Sequence, residues 1–136
     1  MNNNKLKLNI VTPNRNFYNG DVNMIIVKTV DGEIGILPNH LPLVSILDIG
    51  MIDIKNDSEE KSATINMGFI QVVDNEVSIF TDSAEWHDEI DIDRAREAKE
   101  RAERRLKEKA DELDIDRAEL ALRRAINRIG AREKNL

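Results

Sequence analysis

The spacing of apolar residues changes once along this chain. In its first part they fall at every second position: Leu6, Leu8 and Ile10 alternate with Lys5, Lys7 and Asn9, the pattern of a strand with one face buried. Apolar runs follow at Met24–Val27, Ile34–Leu37, Leu43–Leu47, Met51–Ile54, Ile65–Val73 and Val77–Phe80. Between them lie turn formers, among them Asp31-Gly32, Pro38, the polar run Asn56–Lys61 and the pair Asp74-Asn75. Short strands with turn signals roughly every 8–12 residues predict an all-β sandwich or barrel over residues 1–84.

After residue 90 the period becomes that of a helix. Ile90-Asp91-Ile92-Asp93-Arg94-Ala95 nearly repeats as Leu113-Asp114-Ile115-Asp116-Arg117-Ala118, and each copy reads as a helix start. Asp91 or Asp93, and likewise Asp114 or Asp116, can accept a backbone N–H as an N-cap, and acidic side chains in the first turn suit the positive end of the helix dipole. No Pro follows and no Gly before Gly130. This predicts two helices of about 20 and 16 residues joined around Asp111 to Asp114. Ile92, Ala95, Ala98, Ala102, Leu106, Ala110 and Leu113 form one face of the first, and Ile115, Ala118, Leu122, Ala125, Ile126 and Ile129 one face of the second. Faces this narrow and rich in Ala fit an antiparallel hairpin. Burying Ala recovers little apolar area at roughly 25 cal/mol per Å², so the hairpin is expected to be marginal and able to come apart. The fold class is therefore two domains, an N-terminal all-β sandwich (1–84) and a C-terminal antiparallel α-helical hairpin (91–136). Residues 85–90, with Trp86 beside His87, form the expected hinge between them.

Composition narrows the chemistry. A chain of 136 residues with 40% apolar and 4% aromatic content allows only a modest core. It has no Cys, which excludes disulfides and thiolate metal sites and fits a reducing cytosol. No apolar run approaches the ~18 residues of a membrane span, and Met1-Asn2-Asn3-Asn4-Lys5 lacks the apolar core of a signal peptide. The net charge of −6 is uneven: residues 1–90 hold 6 basic and 14 acidic side chains, whereas 91–136 hold 14 and 12. A basic helix on an acidic body points to an anionic partner or ligand.

Catalytic motifs are missing: there is no phosphate-binding glycine loop, nucleophile elbow or H-E-x-x-H, so neither catalytic nor metal-ligating residues are assigned. His40, between Pro38 and Pro42, is read as a hydrogen-bonded structural residue, since only His87 can join it as a ligand. The Gly32–Val44 stretch around it is read as a bent strand pair whose prolines stop pairing at an edge. Anion binding has more support. Arg124, Arg128 and Arg132 follow at i, i+4 and i+8 with no acidic residue three or four positions from any of them, and like charges so placed repel by a few tenths of a kcal/mol per pair. Asp91, Arg94, Ala98, Arg101 and Arg105 form a similar stripe on the first helix. Guanidinium forks suit phosphate oxygens. The plainer reading is that Arg94 and Arg101 pair with Glu97, one turn from each.

Four segments carry a resemblance over essentially the whole chain: Asn9-Ile10-Val11-Thr12-Pro13, Gly32-Glu33-Ile34-Gly35-Ile36-Leu37-Pro38-Asn39-His40, Met67-Gly68-Phe69 and Ile90-Asp91-x-x-Arg94-Ala95. Together they resemble the epsilon subunits of bacterial F-type ATP synthases, departing at Met67, where that family usually has a second Gly. The resemblance implies a non-catalytic central-stalk subunit of the F1 sector that supports ATP synthesis coupled to transmembrane ion transport. It would sit peripherally at the cytoplasmic face of the cell membrane without inserting. Its sandwich would bind the gamma subunit and the c-ring. Its hairpin would inhibit ATP hydrolysis when extended, offering Arg123, Arg124, Arg128 and Arg132 to the catalytic beta subunits. No cofactor is required, and the implied regulatory ligand is ATP, held by Glu85, Ile90, Asp91, Arg94, Ala95, Arg101, Arg124 and Arg128. A free-standing ATP-sensing adapter is the alternative, separated by copurification with a membrane ATPase. A nucleic-acid partner is disfavoured by a pI near 5.0 and few aromatics.

Overall fold

The computed structural model describes residues 4–108 and 111–134, which fall in two compact units dividing between Trp86 and His87. Among the described residues of the first unit nine strands are formed: β1 (Leu6–Val11), β2 (Asn16–Val22), β3 (Met24–Thr29), β4 (Gly32–Ile36), β5 (Leu43–Asn56), β6 (Glu59–Ile65), β7 (Gly68–Val73), β8 (Glu76–Thr81) and β9 (Ala84–Trp86). Seven run in the order β2-β1-β8-β7-β5-β3-β4, all antiparallel except the parallel β1–β8 pair. β5 makes the sandwich. Its first residues, Leu43–Leu47, pair with β7, and from Gly50 onward it pairs with β6, whose other edge holds β9. Between these stretches its register with β3 shifts. Alternate positions on these strands point inward, so Leu8, Ile10, Ile25, Ile36, Leu47, Ile52, Ile70 and Ile79 fill one aliphatic core.

The sandwich follows the period-2 pattern, and the differences from the predicted strands have local causes. Leu43–Leu47 and Met51–Ile54, expected as two strands, are one, because the break suggested by Asp48 and Gly50 is absorbed within the strand. The Asp48 carboxylate accepts from the Ile49 amide at 2.8 Å. Ile65–Val73, expected as one strand, is two, parted at Asn66-Met67, whose carbonyls accept from the Thr81 hydroxyl at 3.2 Å. Of the polar run Asn56–Lys61, only the part around Asp57 turns (φ 57°), and Glu59–Lys61 belong to β6 with their side chains in solvent. Asp74 and Asn75, both at positive φ, close the β7–β8 hairpin. Gly68 is forced: a Cβ there would stand 1.9 Å from the Phe80 carbonyl oxygen. β4 is an edge, and Pro38–Pro42 lie beyond its end. The His40 ring Nδ1 is 2.6 Å from the Leu41 carbonyl, to which it donates.

β9 takes Glu85 and Trp86, expected in the hinge, into the sheet. The Trp86 ring stacks on Phe17 at 4.4 Å between centroids and meets the edge of Tyr18 at 5.9 Å. Lys61 lies over the Trp86 ring at 5.5 Å, and Arg15 over Phe17 at 4.8 Å. These cation–π and stacked contacts fix the last strand of the sandwich.

The second unit holds a 3-10 turn (His87–Glu89), α1 (Ile92–Glu108) and α2 (Glu112–Glu133). Asp91 caps α1, its carboxylate accepting from the amides of Asp93 and Arg94 at 3.1 and 3.2 Å. α2 is capped by Asp111, not by Asp114 or Asp116 as the sequence repeat suggests. The Asp111 backbone is extended and its side chain accepts from the Asp114 amide. α2 therefore starts earlier, and it also runs through Gly130, so it spans 22 residues instead of about 16. One interior Gly costs about 1 kcal/mol relative to Ala, which strong helix formers on both sides absorb. The buried residues of the two helices are all alanines: Ala95 and Ala102 on α1, and Ala118, Ala125 and Ala131 on α2. Leu113 and Ile126, expected on the buried faces, are exposed, and the side chain of Ala110 lies outside the described residues.

Candidate functional site

Helix geometry decides which arginines share a face. Viewed from the N-terminus of α1, Arg94, Arg101 and Arg105 lie on one flank of the Ala95–Ala102 stripe. On α2, Arg117, Arg124, Arg128 and Arg132 lie on the equivalent flank of Ala118–Ala125. α1 and α2 pack against each other, and antiparallel pairing turns these two flanks to the same side of the hairpin. Two observations fix the pairing. Arg96, on the opposite flank of α1, forms an ion pair with Glu133 near the end of α2 at 3.2 Å. At the other end Arg105 and Glu108 line a polar pocket of about 350 Å³ with Asp114 and Arg117. Arg101 thus lies beside the turn of Arg124, and Arg94 beside the turns of Arg128 and Arg132.

The predicted site residues differ in what they can offer a ligand. Arg94 and Arg101 are exposed, and among the described residues neither pairs with Glu97. Arg124 is half-buried, and its Nε–H is enclosed without a hydrogen-bond acceptor, a state that a phosphate oxygen relieves. Arg128 is half-buried and Arg132 exposed on the same flank. Arg123 is also exposed but lies about 100° round the helix from Arg124, so the four arginines from 123 to 132 do not share one face. Ala95 is fully buried, its amide bonded to the Asp91 carbonyl at 3.1 Å. Ile90 is buried as well. One Asp91 oxygen makes both cap bonds, which leaves the other outside the cap. Glu85 belongs to the first unit, where its amide donates to the Thr64 hydroxyl at 3.2 Å.

A second candidate surface lies on the sandwich. Ile46 stands opposite Phe69, Phe69 opposite Phe80, and Phe80 opposite Val11, so four strands carry one apolar row. It faces outward: Ile46, Phe69 and Phe80 are 62%, 45% and 39% exposed. The Phe69 and Phe80 rings stack at 4.9 Å and wall a groove of about 420 Å³ that continues to Val11 and Pro13. The sequence alone does not locate this row, because it joins positions far apart in the chain. Among the described residues no cluster of His, Asp or Glu is placed to hold a metal ion, and no helix is long and apolar enough to cross a membrane.

Comparison with known proteins follows the same division of the chain. Residues 5–87 match the family model of the ATP synthase delta/epsilon chain β-sandwich domain, and residues 88–133 that of its long α-helix domain. An ATP synthase epsilon chain of Alkaliphilus metalliredigens is 52% identical over 126 residues, 93% of this chain and 94% of the relative. One of Caldicellulosiruptor bescii is 42% identical over 131 residues, 96% of each. Among solved structures, a chain in the F1/c-ring assembly of the Euglena gracilis mitochondrial ATP synthase superposes with a TM-score of 0.82 at 25% identity. The match covers 91% of this chain and 79% of that one.

Proposed function

Because the chain belongs to the ATP synthase delta/epsilon family, as a non-catalytic subunit, we propose that it is a central-stalk subunit of a bacterial F1 sector whose hairpin governs ATP hydrolysis in response to ATP. The sandwich is the fixed foot that binds the gamma subunit and the c-ring, and its exposed Ile46–Phe69–Phe80–Val11 row is the apolar surface offered to gamma. The complex then holds the chain peripherally at the cytoplasmic face of the membrane.

The observation that carries the regulatory half is the hairpin's construction, two helices whose buried residues are all alanines, with Arg94, Arg101, Arg124 and Arg128 on one flank. ATP phosphates between Arg94, Arg101, Arg124 and Arg128 neutralise that flank and hold the hairpin closed, with Asp91 suited to the adenine amino group or the ribose hydroxyls. When ATP falls, repulsion and the weak alanine contact release the helices, and Arg123, Arg124, Arg128 and Arg132 become available to an acidic surface of the beta subunits. A ligand shifts such a balance only by its difference in affinity for the two forms.

The test is ATP hydrolysis by the assembled enzyme carrying the full chain, a chain ending at Trp86, or Arg124→Ala. Hydrolysis should be inhibited at low ATP with the full chain and uninhibited with the shortened one. The scheme fails if Arg124→Ala leaves both ATP affinity and inhibition unchanged. Docking is tested separately: Phe69→Ser with Ile46→Ser should weaken copurification with gamma at least tenfold, as expected for a central aromatic anchor, while the isolated chain stays folded.

A further inference from the structure

Three methionines lie among the described residues: Met24 and Met51 are half-buried, whereas Met67 is 41% exposed. Met67 stands between β6 and β7 on backbone that is held in place. Its carbonyl accepts from the Asp82 amide at 3.1 Å and from the Thr81 hydroxyl at 3.2 Å. The next residue, Gly68, packs so closely on Phe80 and Thr81 that a Cβ has no room. The Asn66 amide donates to the Ser83 carbonyl at 3.2 Å, so the β7–β8 register continues through Met67. Side chains two residues apart on such a ladder share a face. Met67 therefore shares the outward side with Phe69, beside the Ile46–Phe69–Phe80–Val11 row, on backbone that cannot turn it away.

We propose that Met67 is an oxidation site whose state sets how tightly the sandwich docks. This rests on the reading above that the apolar row is offered to gamma. The oxidant is a hydroperoxide. The thioether sulfur attacks one peroxide oxygen, the S–O bond forms as the O–O bond breaks, and the second oxygen leaves as water. Sulfur loses two electrons and the peroxide gains them. The step needs access to the sulfur, which exposure gives Met67 and burial restricts at Met24 and Met51. A flexible apolar group becomes a polar, chiral sulfoxide. Against an apolar partner the sulfoxide oxygen is stripped of water with no donor to replace it, and one unpaired polar atom corresponds to about a tenfold loss of affinity. Reduction of the sulfoxide restores the thioether, so the change is reversible. Docking covers the sulfur, so the free chain is the sensitive form and the assembled one is protected.

The experiment treats the full chain with hydrogen peroxide, locates the sulfoxides by peptide mass spectrometry, and measures binding to the gamma subunit before and after treatment. Met67 should oxidise several times faster than Met24 or Met51, and bound gamma should slow it. The treated chain should bind gamma about tenfold more weakly, and methionine sulfoxide reductase should reverse the loss. Met67→Leu, compared treated against untreated, should no longer respond to peroxide. Met67→Gln, which puts a polar group at the same place, should bind as the oxidised chain does without any treatment. Oxidation of Met67 no faster than of the other two, unchanged binding after treatment, or an equal loss in treated Met67→Leu overturns the proposal. Untreated chains that bind gamma equally well with and without Phe69→Ser and Ile46→Ser overturn the docking reading itself, and this proposal with it.

Discussion

Removing one methyl from the hairpin contact should loosen both helices and leave the sandwich untouched. Ala125 is 2% exposed in the middle of α2. Ala125→Gly forfeits the burial of one methyl, about 0.8 kcal/mol, and about 1 kcal/mol of helix propensity. The combined loss of about 1.8 kcal/mol is a factor of about 20 in the opening equilibrium. Native-state hydrogen exchange reads that equilibrium amide by amide: protection in α1 and α2 should fall about 20-fold while β1, β5, β7 and β8 keep theirs. The exposed position Glu119 separates the two effects, since Glu119→Gly measured against Glu119→Ala carries the propensity difference alone, about fivefold. The reasoning is refuted if Ala125→Gly costs no more than the change at 119, because the alanine contact then contributes nothing. It is refuted equally if the sandwich amides lose protection in step, because the two units would then open together.

Gly68→Ala places a methyl against the backbone of β8 at Phe80 and Thr81. Backbone in a sheet gives less than a side chain does, so chemical denaturation should show a loss of about 3 kcal/mol or more, and a loss under about 0.5 kcal/mol would contradict the close approach. Asp111→Ala should lower α2 stability by about 1 kcal/mol, seen as exchange protection lost first around Glu112–Ile115, whereas Asp116→Ala should not. Tyr18, the chain's one tyrosine, has its phenol pKa raised above 10.0 by burial first, then by Asp21 and Glu59, against an opposing Lys5. The folded state therefore holds this proton more tightly than the unfolded chain. The resulting stability is fully present below pH ~10 and is lost as pH rises through the higher folded value. Phenolate absorbance should titrate above pH ~10 in the native protein, and at lower pH in Asp21→Asn. A midpoint unmoved by that substitution would remove the charge contribution.

Legibility followed the range of the interactions. Helix caps and faces are local, so the Asp91 cap, the buried Ala95, Ala102, Ala118 and Ala125, and the common flank of the arginines could be read from spacing. The second cap is not legible in the repeat, which offers Asp114 in the place of Asp91, whereas the cap is Asp111, extended, three residues earlier and accepting from the Asp114 amide. Strand continuity through Asp48 and Gly50, the pairing of β9 with β6 and the stacking of Trp86 on Phe17 all depend on partners tens of residues away, and nothing local announces them. The outward row Ile46–Phe69–Phe80–Val11 exists only once the register is known.

The two units differ in what they bury, and this difference suits one to be rigid and the other to be released. The sandwich core is largely Ile, Leu and Val, each such fully buried side chain contributing about 1.5–3 kcal/mol. The fully buried side chains of the hairpin's two helices are five alanines, whose methyls contribute about 4 kcal/mol, with Ile92, Leu106, Ile115, Leu122 and Ile129 only half-buried beside them. A ligand at a hundred times its Kd stabilises the form it binds by about 2.7 kcal/mol, which is of the same order as the alanine contact and small beside the sandwich core. ATP binding can therefore decide whether the hairpin is closed without deciding whether the protein is folded. Replacing the seam with larger side chains, such as Ala102→Leu with Ala118→Leu, would remove this balance whichever way the packing resolves: a tighter seam would stay closed without ATP, and an overpacked one would stay open with it. In both cases hydrolysis by the assembled enzyme should lose its dependence on ATP concentration, and a retained dependence would mean that the switch does not reside in the helix–helix contact.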